Sequence, residues 1–165
     1  MSKIEKLCNA YEKFGQAIAT IPDDESKALS RMCVGVREFV SGAREGTPKP
    51  TPSQVAAGLE QGWRETPQSI QRVAQEWRAT VATAWHDATL LAYPEFLTTE
   101  QQRLQKVLER GKIRTEAEFY RIRHEVDLLE GRPGAHDELQ RMYSLIDIYE
   151  KRQLPRDRPL QAKAV

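Results

Sequence analysis

Between Pro67 and Pro94 the chain contains no glycine or proline, and an apolar stripe runs through it: Ile70, Val73, Ala74, Trp77, Val81, Ala84, Trp85, Ala88 and Leu91. Their three- and four-residue spacing is the period of one helical face. Counted from Trp77 at about 100° per residue, they fill an arc about 120° wide, the width of a helix packed on a core. Gln71, Gln75, Arg78, Ala82, His86 and Thr89 lie outside it. A helix over Thr66–Ala92 is therefore expected, opened by Thr66-Pro67 and long enough, at roughly 1.5 Å per residue, to be the central element.

The other prolines punctuate the chain in the same way, since proline inside a helix costs about 3 kcal/mol. The first helix is expected over Ser2–Thr20, with Ile4, Leu7, Cys8, Tyr11, Phe14 and Ile18 on one face. The second spans Asp24–Arg44 with Leu29, Met32, Cys33, Val36, Phe39 and Val40 on its face, and acidic residues at its start suit the dipole. The short connection makes these two an antiparallel hairpin. Thr51-Pro52-Ser53-Gln54 reads as an N-cap, proline at N1 and a capping-box glutamine. The helix it opens carries Val55, Leu59 and Trp63 and is expected to be short, because Gly58 and Gly62 weaken it. Pro94–Leu97 reads as a loop. Beyond it, helices start at Thr98 or Thr99, at the Thr115–Glu118 capping box and near Asp137, the first stopped by Gly111, the second by Gly131, the last at Arg152.

The expected class is all-α, with six to seven helices: an N-terminal antiparallel helical hairpin (1–46), a proline-rich linker (47–53), a bundle on the long central helix (54–152) and a disordered tail (153–165), the alternative being a single domain with the hairpin docked on the bundle. A chain of 165 residues can bury a core without disulfides or metals. Cys8 and Cys33 are too few for a disulfide framework and read as buried thiols at similar heights in the hairpin. The charged start Met1–Glu5 lacks the apolar core of a signal peptide, which makes the cytoplasm the expected address. No apolar run approaches the ~20 residues of a membrane span.

Catalytic patterns are not evident. His124-Glu125 begins like a zinc-protease helix, yet Leu128 stands where the second histidine belongs. His86 lies opposite Trp77, and His136 stands at a helix start. No glutamate has a histidine three residues on, and no nucleophile elbow or phosphate loop occurs. No cofactor or metal is expected.

Two surfaces are candidates for partners. Arg103, Lys106, Arg110, Lys112 and Arg114 surround the Gly111 turn just before the Thr115 cap, whose free N–H groups favour anions. Net charge is only +1, so nucleic acid would have to use this local patch. The second surface is apolar. On the last helix Leu139, Met142, Tyr143, Ile146 and Tyr149 share one face, while Leu145 and Ile148 fall off it and suggest a second contact. Trp63, beside Arg64 at the end of a weak helix, is a further candidate for a partner, the alternative being a ring packed down, as a lone tryptophan near a chain bend more often is. The expected function is a non-enzymatic, cytoplasmic protein-interaction module that self-associates or binds a protein partner. The alternatives are a nucleic-acid-associated regulator using residues 103–114, and an enzyme whose site the sequence does not display.

Overall fold

A computed structural model describes residues 1–157, with side chains through residue 153. Among the described residues the chain is all-helical: α1 (Lys3–Ala17), α2 (Asp24–Val34), α3 (Val36–Arg44), α4 (Pro52–Ile70), α5 (Gln75–Ala92), α6 (Pro94–Arg110), α7 (Glu116–Leu129) and α8 (His136–Asp157). The count is eight rather than six or seven because the expected Asp24–Arg44 helix divides at Gly35, whose ψ of 9° leaves the helical range. Both hydrogen bonds there end on the joint itself: Gly35 N closes α2 on Arg31 O, and Gly35 O opens α3 by accepting from Phe39 N. Helix α8 extends past Arg152 to Asp157, and the remainder of the expected tail lies outside the described residues.

The expected central helix over Thr66–Ala92 does not form as one element. Helix α4 begins at the expected capping box, in which Thr51 and Gln54 serve each other reciprocally, and continues through Gly58, Gly62 and Pro67 to Ile70. Near Pro67, the Thr66 hydroxyl donates to Gly62 O at 2.9 Å. The chain then breaks over Gln71–Ala74. A distant carboxylate holds the break: Asp23 accepts from Ser26 N (2.9 Å) with one oxygen and from Ala74 N (3.1 Å) with the other. The N-cap of α2 thus also secures the start of α5. Pro94, expected in a loop, is the first residue of α6, a position where its missing N–H costs nothing.

The break also turns the buried face. Val81, Ala82, Trp85, Ala88 and Thr89 of α5 are buried, whereas Leu91 is 74% exposed. At about 100° per residue this face is rotated by roughly 60° from the expected stripe. Once residues 71–74 leave the helix, Ile70 and Val73 no longer share a register with Trp77 and Leu91.

The chain divides into two compact units, Met1–Glu100 and a second beginning at Gln101. The division therefore falls within α6 and not at the proline linker 47–53, because α1 packs on α4 and α5 as well as on α2. At the heart of the first unit, Trp63 stacks on Trp85 (5.4 Å between centroids) and meets Tyr11 and Phe14 at 4.7 and 5.8 Å. Helices α1 and α2 approach closely at Gly15. A Cβ there would lie 2.9 Å from Val34 Cγ1 and 3.0 Å from Ser30 O, and the Ser30 hydroxyl donates to Gly15 O. The second unit is built on an aliphatic cluster that includes Leu104, Val107, Ile122, Val126, Met142 and Ile146.

Candidate interaction surfaces

The basic turn is a closed structure. Gly111 takes a φ of +74°, a left-handed conformation that glycine adopts without strain, and ends α6. Arg110 forms an ion pair with Glu118 and donates from Nε to Lys112 O at 3.0 Å. Glu118 Oε2 also accepts from Arg114 N at 2.7 Å, and Glu118 N donates to the Thr115 hydroxyl. Burial opposes ionisation of Glu118, but these hydrogen bonds and Arg110 outweigh it and hold the carboxyl below the ordinary glutamate range. The Glu118 carboxylate thus pairs with the turn that precedes α7, at Arg110 and Arg114 N. Arg141 donates to Leu108 O, one of the last carbonyls of α6, which ties the turn to α8. The side chains of Arg103, Lys106, Lys112 and Arg114 are exposed, whereas Arg110 is half-buried and engaged.

The three expected interface residues separate. Leu145 is 7% exposed and belongs to the aliphatic cluster, so the core of the second unit takes more of α8 than one narrow stripe. Ile148 is 52% exposed. Trp63 takes the packed-down alternative: it is fully buried, and its indole N–H donates to Thr89 Oγ1 at 3.1 Å. That bond matters because a buried indole without a partner would lose the hydrogen bond it makes in water. Gly62, read as a weakness, has a function beside it: a Cβ there would come within 2.7 Å of the Tyr11 hydroxyl, which donates to Leu59 O.

The exposed apolar side chains lie elsewhere. Met32 (59%) and Phe39 (68%) were expected in the core, yet the core takes only Leu29, Cys33, Val36 and Val40 from that face. Spacing alone does not separate them from the core, because the buried pairs Leu29/Val36 and Cys33/Val40 are seven residues apart just as Met32 and Phe39 are. Leu90 and Leu91 are likewise exposed, and Leu91 helps line a shallow cleft of about 540 Å³ between α1 and α5. A second open cleft, about 580 Å³, lies between α1 and α4. Its cations are already neutralised, Lys3 by Glu60 and Arg64 by Glu60 and Glu100.

Cys8 and Cys33 are free, buried thiols. Burial pushes the Cys33 thiol up to about 12 and raises Cys8 as well, away from the reactive thiolate. Of the histidines, His124 is buried, His86 half-buried and His136 exposed. Among the described residues no group of three or more His, Cys, Asp or Glu side chains is placed to hold a metal ion. None of the helices there is long and apolar enough to cross a membrane.

The chain matches no known protein family, no curated protein and no solved structure.

Proposed function

We propose that the protein is an interaction module that works through apolar side chains displayed by its helices. The observation that carries this reading is Phe39, an aromatic ring left 68% exposed on a well-formed helix while the neighbouring aromatic core is closed. A large exposed apolar group on an ordered scaffold is what a protein partner buries. The reading places the protein in the cytoplasm with no cofactor. A nucleic-acid role for residues 103–114 draws less support, because Glu118 pairs with Arg110, one of the five basic side chains of the patch.

The test compares proteins retained from cell extract by the intact chain and by the variants Phe39→Ser and Leu91→Ser, with helicity checked by circular dichroism. A protein held by the intact chain and released by one variant supports the reading. Retention indifferent to both variants overturns it.

A further inference from the structure

The joint between α4 and α5 is a break that its own residues do not require. Gln71, Arg72, Val73 and Ala74 include no glycine or proline, and none of them has a positive φ. Gln71 still has helical angles (φ −65°, ψ −16°), while Ala74 is extended (φ −53°, ψ 139°). Ala74 is the N-cap of α5, and no side chain caps that helix; alanine is among the poorest residues for the position. The break is fastened from the start of α2 instead. Asp23 accepts from Ala74 N at 3.1 Å, and Glu25 pairs with Arg72 at 3.0 Å.

Across the break the apolar faces are in phase for a single helix. Counted from Trp63 at about 100° per residue, Leu59, Ile70, Trp77, Val81 and Ala88 all lie within about 40° of it. The arc about 120° wide that holds them admits no charged residue between Pro52 and Ala92. The closed joint leaves part of this face unused: Leu91 is 74% exposed, and Trp77 and Ala84 are only half-buried.

A straight helix cannot keep the core within one copy. Trp63 stacks on Trp85 and donates to Thr89. At about 1.5 Å per residue, a continuous helix holds those two partners about 33 and 39 Å from Trp63. The same contacts then form only with α5 of a second copy. Exchange of this kind recovers the contacts of the closed core and alters only the joint. The open form gains the helical hydrogen bonds missing across Gln71–Ala74 and loses the fastenings at Asp23 and Glu25.

We infer that the α4–α5 joint is a hinge, latched by Asp23, that opens into one helix over Pro52–Ala92 and exchanges α5 between two copies of the chain. The exchange uses the core and not the exposed side chains of the reading above, so each stands or falls separately.

The full chain, refolded from urea at about 5 and about 500 μM and separated by size, tests it. The expected result is monomer at the lower concentration and dimer at the higher. Gln75→Pro distinguishes the open joint from the closed one. Gln75 is exposed and is the first residue of α5, where proline fits, and the extended Ala74 before it suits a proline. In a continuous helix the same proline clashes with the Gln71 carbonyl, so the dimer yield falls at least about tenfold. The thermal midpoint of the Gln75→Pro monomer stays level or rises, which separates lost exchange from lost folding. Asp23→Ser keeps an oxygen for Ser26 N but gives up the one that holds Ala74 N, and it raises the dimer fraction at least about threefold. Thioether-linked spin labels on Gln61→Cys and Leu90→Cys, both exposed positions, read the joint directly, since the native cysteines are buried and stay unlabelled in the folded chain. Diluted with unlabelled chain, the dimer shows a distance of about 44 Å that the monomer lacks. A chain that stays monomeric at the higher concentration, with and without Asp23→Ser, overturns the inference. So does a dimer that lacks the long distance or that Gln75→Pro leaves unchanged; such a dimer forms by surface docking, and the interaction reading survives it.

Discussion

Trp63 and Phe39 exchange the places that local pattern assigns them. Trp63 sits among two glycines and a proline, beside an arginine, where a helix should end and its ring be displayed. Phe39 sits in regular helical spacing with Leu29, Val36 and Val40, where a ring should be buried. The structure buries the first completely and exposes the second. The difference lies in what each ring can reach. Trp63 has Tyr11, Phe14 and Trp85 around it and Thr89 for its N–H. Phe39 lies at the edge of a face whose centre already fills the space available. Burial follows from partners brought by other helices, and periodicity specifies only which side of a helix is eligible.

The sharpest way to break this contrast is at Trp63. Trp63→Ala removes the ring at the centre of the aromatic cluster and leaves Thr89 without its donor, at a cost of about 3–5 kcal/mol in chemical denaturation. A loss below about 1 kcal/mol would mean the cluster is not the core of the first unit. Gly15→Ala comes next. The added methyl group collides with Val34 and with the Ser30 carbonyl, so destabilisation of about 1–3 kcal/mol is expected despite the better helix propensity of alanine.

Asp23 joins the two helix starts, and its replacement ranks third. Hydrogen bonds from Ser26 N and from Ala74 N, offset in part by burial, hold its carboxyl below the ordinary aspartate range. A carboxyl depressed in the folded state stabilises the fold above its unfolded pKa, and that stability is lost as pH falls through the folded value. Asp23→Ala should cost about 0.5–2 kcal/mol at neutral pH as a lost cap. The gap between the two proteins should close on acidification through the carboxylate range. A gap constant with pH would show that the charge is not what binds Ala74. The smallest effect is expected at the other end of the comparison. Phe39→Ser should change the stability of the dilute monomer by no more than about 0.5 kcal/mol, and a larger loss would place the ring in the core after all.

The helical class, the capping box at Thr51, the N-cap at Thr115, the stop at Gly111 and the burial of both cysteines were all legible from residue types and spacing, whereas the second half of the box expected at Thr115 does not form, because Glu118 accepts from Arg114 N instead. The candidate surfaces were legible only in part. The basic residues were found, but Glu118, which pairs with Arg110 and Arg114 N across the turn, was read only as the end of the Thr115 capping box. Of the three apolar candidates Ile148 is exposed, while Leu145 and Trp63 are buried. Met32 and Phe39 were recorded as core because a face about 120° wide looks uniform in one dimension.

What the sequence determined by itself were the properties that adjacent residues share along one helix: where caps, glycines and prolines start and stop it, and which side is apolar. Tertiary structure decided the break at Gln71–Ala74, since the group that anchors it is a carboxylate some fifty residues away at Asp23. It also decided how far each apolar face turns toward the core. A side chain is buried only where another helix supplies shape and hydrogen-bond partners, and no periodicity along one segment encodes the position of the next.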